Sequence, residues 1–200
     1  MLFMFHFFSK NDFQEVDFYL EAFFSSLGMT MSAVKARKKV ATYSKPYSLT
    51  QETTFQGKHL IISLWHAPLK EKKRVQLEVV MTIENPSWIY LDIEPPNVPS
   101  KEKKTLDTVT IPFLECLNEV GIKVETNDKF LVLNTFDEEL CQRITQANKI
   151  GFERLTVDRQ KIDLKTAWLP DSTSRVKQLK QLIELLVRLA TIVDNAHPPT

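Results

Sequence analysis

Residues 75–94 read VQLEVVMTIENPSWIYLDIE. Val75, Leu77, Val79, Met81 and Ile83 fall at every second position, with Gln76, Glu78 and Thr82 among the residues between them. Period two is the pattern of a strand with one face on a core and the other toward water. Asn85-Pro86-Ser87 breaks the run as a turn signal. Ile89, Leu91 and Ile93 then resume the alternation. The stretch predicts strands over 75–84 and 88–94, paired as a β-meander, with Glu78, Glu84, Asp92 and Glu94 on the solvent face.

Working upstream, residues 58–66 (KHLIISLWH) are apolar enough for a central strand, and Gly57 before them marks a tight turn. Residues 49–55 form a weaker strand signal. Downstream, Pro95 to Lys104 is a loop by composition, rich in Pro and Lys. Thr110 and Pro112 suit the cap and first turn of a helix that reaches about Val120, where Gly121 would close it. Residues 122–126 and 129–134 are expected to be a strand pair around Asn127-Asp128. Thr135, with Glu138 three residues later, has the spacing of a capping box for a helix to about Asn148. Residues 152–157 and 160–168 form a further strand pair, with Ile162, Leu164, Thr166 and Trp168 on one face. Pro170-Asp171 opens the longest helix, about 172–194. Its stripe of Val176, Leu179, Leu182, Ile183, Leu186, Leu189, Ala190 and Val193 is too wide for a strict coiled-coil seam and fits packing across a sheet.

The N-terminus is of another kind. The chain has 200 residues and 13 Phe, and eight of these lie in the first 24: Phe3, Phe5, Phe7, Phe8, Phe13, Phe18, Phe23 and Phe24. Phe13, Val16, Leu20, Phe23, Phe24 and Leu27 recur at helical spacing, which predicts an amphipathic helix over 12–27 closed by Gly28. MLFMFHFF lacks a basic region and is interrupted at once by Ser9-Lys10-Asn11-Asp12, so a secretory signal is not expected. Nor does any segment approach the ~18 apolar residues of a membrane span. The acidic polar face (Asp12, Glu15, Asp17, Glu21) suits a protein partner better than an anionic membrane.

The net charge is +1, with 43% hydrophobic and 26% charged residues, which is an ordinary globular composition. Four Gly leave little material for a phosphate-cradling loop. Cys116 and Cys141 are too far apart in sequence, and too few, for a disulfide scaffold or a zinc site. They read as buried small side chains in a reducing compartment. G-x-S-x-G, Walker A, G-x-G-x-x-G, H-E-x-x-H and C-x-x-C are all missing. His59 and His66, seven apart on one strand, point to opposite faces. Asp137, Glu138 and Glu139 read as acid at a helix start. The runs Lys35–Lys39, Lys70–Arg74 and Lys101–Lys104 read as solvated loops and ends.

From Gly57-Lys58 onward the parts run in a set order: a strand, the meander over 75–94, the segment DKFLVLNTFDEELCQRI from Asp128 to Ile144, the strand pair over 152–168, and the amphipathic helix over 174–194. This order resembles that of a group of uncharacterised bacterial proteins across about two-thirds of the chain. The resemblance implies an α+β fold and supplies no activity. Members of that group often carry membrane helices ahead of this domain.

The expected fold class is α+β, an antiparallel sheet packed on one side by helices, ending in the long amphipathic helix. Residues 1–40 are expected to form a Phe-rich helical arm and residues 41–200 a single domain with an internal Pro/Lys loop at 95–104. The expected function is a non-catalytic, cytoplasmic protein-interaction or scaffold module without cofactor, metal or catalytic residues. It would self-associate or bind a protein through Phe3, Phe5, Phe7, Phe8, Phe13, Phe23 and Phe24. Two other readings are an enzyme whose pocket gathers side chains such as His66, Glu78 or Cys116, and a weak nucleic-acid binder acting through the basic loops. Peripheral membrane contact through the N-terminus is a further option.

Overall fold

Gln56 and Gly57 form a two-residue loop in which both residues adopt positive φ, +48° and +78°. That geometry matches the right-handed twist of paired strands, so the chain reverses directly from β1 (Tyr47–Phe55) into β2 (Lys58–Pro68). The computed structural model describes residues 22, 23, 25, 47–68, 73–96, 109–110 and 115–196. Within them the strands continue with β3 (Lys73–Thr82), β4 (Leu91–Glu94) and the two-residue β5 (Val109–Thr110). β6 (Lys123–Thr126), β7 (Phe152–Asp158) and β8 (Lys161–Thr166) complete the sheet. The helices are α1 (Glu115–Asn118), α2 (Lys129–Thr135), α3 (Glu138–Ile150) and α4 (Thr173–Asp194). The fold class is α+β, as the sequence predicts.

All strand pairs are antiparallel, in the order β1-β2-β3-β8-β7-β4-β6-β5. β1, β2 and β3 form a meander, but β4 does not follow β3 in the sheet. The β7–β8 hairpin lies between them, with Val79 opposite Leu164 on one side and Ile93 opposite Leu155 on the other. The expected pairing of 75–84 with 88–94 is therefore corrected. Asn85-Pro86-Ser87-Trp88 is no two-residue hairpin loop. The Asn85 side chain takes the Ile89 N–H at 2.8 Å and donates to the Ile89 and Arg159 carbonyls, which carries the chain out of the ladder.

Leu60, Ile62 and Leu64, then Leu77, Val79 and Met81, then Ile162 and Leu164, then Leu155 and Val157, and finally Leu91 and Ile93 all bury on one face. α4 packs against β3, and α3 packs against β7 and α4. Leu179, Leu182, Ile183, Leu186, Leu189, Ala190 and Val193 of the predicted α4 stripe are buried. Ser172 caps that helix by accepting the Arg175 N–H at 3.3 Å. Phe23 joins the same core with no exposed surface.

Two local expectations change. Residues 129–135 are helical because the Asp128 carboxylate accepts the Leu131 N–H at 2.9 Å and starts a turn. Thr135 ends that helix and does not cap the next; its hydroxyl donates to the Leu131 carbonyl at 2.7 Å. The cap of α3 is Asp137, which accepts the Leu140 N–H at 2.8 Å. That bond, over the cost of burial and with help from Arg188, lowers the Asp137 pKa. Gly121, predicted to close α1, sits at φ +73°, and a Cβ there would lie 2.9 Å from the Pro96 Cβ.

Candidate interaction surface

The alternation that buries one face of each strand displays the other. Glu78 of β3, Asp163 and Lys165 of β8, and Arg154, Thr156 and Asp158 of β7 share the face away from the helices, with Asp92 and Glu94 of β4. Register sets them in rows: Asp163 faces Thr156, and Thr156 faces Asp92. The alternation alone puts Asp92 and Glu94 in solvent, yet Asp92 is 0% exposed and Glu94 6%. Asp92 lies under Arg154, which grips it with two bonds, Nε at 3.2 Å and Nη2 at 2.7 Å, and it accepts a third from the Tyr90 hydroxyl at 3.3 Å. The Asp92 hydrogen bond, over the cost of burial, raises the Arg154 pKa, with Glu94 and Tyr90 adding to it.

Beside this pair lies a depression of about 220 Å³ lined by Tyr90, Arg154, Thr156, Asp158, Asp163 and Lys165. Asp163 is its unusual member. Its side chain is 10% exposed, and its cations stand off: Lys165 Nζ at 3.6 Å and Lys161 Nζ at 3.9 Å from Oδ2. Oδ1 is buried without any hydrogen-bond partner among the described residues. Lys165 is nearer to Glu78, at 3.2 Å. Burial, and next the charge of Glu78, push the Asp163 pKa up to about 6 against the pull of Lys165 and Lys161. Burial works against the charge on Lys165, but Asp163 and Glu78 outweigh it and raise its pKa.

The end of the sheet where β4 begins and β6 ends carries exposed apolar side chains. Trp88 is 72% exposed, Phe130 77% and Leu133 40%. Asn127 ties the two segments together: its Nδ2 donates to the Trp88 carbonyl at 2.9 Å and its Oδ1 accepts the Tyr90 N–H at 2.7 Å. Trp88 itself sits at φ +54°, a conformation that costs a bulky residue on the order of 1–3 kcal/mol. Asn85 (φ +44°) and Arg159 (φ +48°) share the same end. The loop is fastened further by Asp194, whose carboxylate accepts the Glu84 and Asn85 N–H groups and pairs with Lys58. Ser87 donates to the Ala196 carbonyl at 2.9 Å. Strain of this kind persists only where the surroundings over-determine it.

Of the Phe residues expected to meet a partner, Phe23 is within the chain's own core; Phe3, Phe5, Phe7, Phe8, Phe13 and Phe24 lie outside the described residues. Runs 35–39 and 101–104 lie outside them too, as do the side chains of His66 and Cys116. Cys141 is buried and carries its sulfur as a thiol. His59 is on the surface, 3.5 Å from Glu52. Glu78 borders the depression through Lys165. Sequence reasoning missed Trp88, Phe130 and Asp163. A Trp directly after Asn-Pro-Ser is a signal for the first; Phe130 is hidden because its apolar run reads as a strand.

No protein-family model matches the chain, and no curated protein matches it. Among solved structures it is similar to the crystal structure of the mycobacterial trehalose monomycolate transport factor A, TtfA, with a TM-score of 0.58 and 9% identity. The match covers 94% of this chain and 99% of that one. At this identity the likeness is one of fold. Among the described residues, no helix is long and apolar enough to cross a membrane.

Proposed function

We propose that this chain is a non-catalytic protein-interaction or scaffold module that receives a protein partner at the end bearing Trp88, Phe130 and Leu133. The observation that carries the reading is Trp88. A large apolar side chain held in the left-handed region loses backbone energy and, at 72% exposure, recovers little by burial. Five side chains, Lys58, Asn85, Ser87, Asn127 and Asp194, clamp the segment around it. Trp and Phe are the side chains that anchor interfaces. The neighbour in fold is a transport factor, a role compatible with an accessory protein that works by contact. Self-association through Phe3, Phe5, Phe7, Phe8, Phe13 and Phe24 is the second part of the proposal, supported by the Phe content of the N-terminus.

The test compares wild type, W88A/F130A and the surface control Arg143→Ala in quantitative cross-linking in cells. A partner joined to wild type and control but lost from W88A/F130A, at unchanged melting temperature, is the expected result. Identical cross-linking profiles for all three would remove the tip from the interface. For self-association, a chain lacking residues 1–11 and carrying F13A and F24A keeps the core residue Phe23; light scattering should show it as a monomer while the full chain is larger. Equal masses would end the self-association reading.

A further inference from the structure

We infer that the depression beside Tyr90 is an anchor subsite for a cationic side chain of the partner protein, a lysine ammonium or arginine guanidinium received by Asp163 and Asp158. This rests on the interaction reading above and names the chemistry of the partner.

Donors and acceptors in the depression are out of balance. Its donors are occupied: Arg154 is engaged by Asp92, and Lys165 lies nearest Glu78. Its acceptors are short of donors: Asp163 Oδ1 has none among the described residues, and Oδ2 has only two long ion pairs, with Lys165 at 3.6 Å and Lys161 at 3.9 Å. Asp158 stands exposed on the wall with no ion pair among the described residues. An incoming anion would therefore meet carboxylates and committed cations, whereas a cation meets acceptors. A buried acceptor left without a donor costs on the order of 1–3 kcal/mol. An N–H donor entering the depression relieves that cost. A turn about χ2, a soft torsion in Asp, exchanges the two oxygens and brings Oδ1 to the opening. An organic cation suits the subsite better than a metal ion, for which no three carboxylate, His or Cys side chains are grouped among the described residues. A volume of about 220 Å³ holds a head group and its stem, with the Tyr90 ring along one wall. Tyr90 also joins the subsite to the apolar tip, because Asn127 holds Tyr90 and Trp88 together. The partner segment therefore carries Lys or Arg beside an apolar residue.

The groups that face Asp163 are Glu78 from β3, Lys161 and Lys165 from β8, Arg154 and Asp158 from β7, and Tyr90 ahead of β4. With the Asp163 pKa up at about 6, the acid is charged at pH 7.5 and neutral at pH 5. A proton then does what the ligand's N–H does.

The experiment is an amide-shift titration of the full chain. The probes are n-butylammonium chloride and a capped Trp-Leu-Lys-Leu peptide, with n-butanol and sodium chloride as controls. Expected are saturable shifts at Thr156, Asp158 and Asp163 with both cationic probes at pH 7.5. Binding should weaken about tenfold or more in D163N and at pH 5, and the peptide should bind about tenfold tighter than butylammonium. Absence of saturable shifts, or shifts unaltered by D163N, overturns the subsite and leaves the Trp88 reading standing. Butylammonium binding that needs Asp163, with a peptide that binds no tighter and is indifferent to Trp88→Ala, overturns the partner side chain as occupant in favour of a free amine. That last outcome also removes the tip.

Discussion

Replacing Asp163 by Asn is expected to stabilise the protein at neutral pH. The carboxyl's ordinary pKa is 3.8 and the fold moves it to about 6, so the folded state holds the proton more tightly than the unfolded chain. Stability from a raised acid pKa is present below the unfolded value and is lost as pH rises toward the folded one. The gap of about two pH units corresponds to about 3 kcal/mol, and screening by water at the mouth of the depression reduces it to about 1–2 kcal/mol. An asparagine at this position carries no charge to desolvate, and its amide can donate to Glu78. Urea unfolding followed by circular dichroism, with a slope of about 2 kcal/mol/M, should show the D163N midpoint about 0.5–1 M higher at pH 7.5. At pH 4 the two midpoints should nearly coincide. A lower midpoint for D163N at pH 7.5, or an equal gain at both pH values, would refute the reasoning. The first result would mean that Asp163 has a good donor after all; the second, that the gain does not come from its charge.

Asn85→Ala removes three bonds that hold the Trp88 loop and is expected to cost about 3 kcal/mol, read by chemical denaturation; a loss under about 1 kcal/mol would show the loop is held by Asp194 instead. Asp92→Ala should cost about 3–5 kcal/mol by leaving Arg154 half-buried without its carboxylate, and the double variant D92L/R154L should recover most of that loss in the same assay. Phe23→Ala should cost about 3–5 kcal/mol by chemical denaturation, while the mass of the full chain in light scattering stays that of wild type. A smaller mass for F23A would place Phe23 in a contact between chains.

Much of the fold is legible in single residues. Leu77, Val79 and Met81 alternate, and all three are buried; the α4 stripe repeats at helical spacing, and it packs on the sheet. These patterns are readable because the core needs one apolar face per element, whichever neighbour covers it. The position of β4 is not readable in the same way. Leu91 and Ile93 would satisfy any apolar neighbour, and what sends the chain past β7 and β8 is the bonding of Asn85 to Arg159, 74 residues away. The segment 130–133 shows the same limit, since Phe-Leu-Val-Leu is apolar on every side and the Asp128 cap makes it a helix.

The sequence alone settled the class of the protein, the faces of its strands, the last helix and the concentration of Phe at the N-terminus. Those follow from local pattern, which one residue and its near neighbours carry. The tertiary structure decided the strand order, the burial of Asp92 under Arg154, the donor deficit at Asp163 and the exposure of Trp88 beside Phe130. Each of these depends on parts of the chain distant in sequence, as when Asn127 bonds to the backbone of the Trp88 segment. An acid is paired or starved, and a tryptophan covered or displayed, only once the fold has chosen its neighbours.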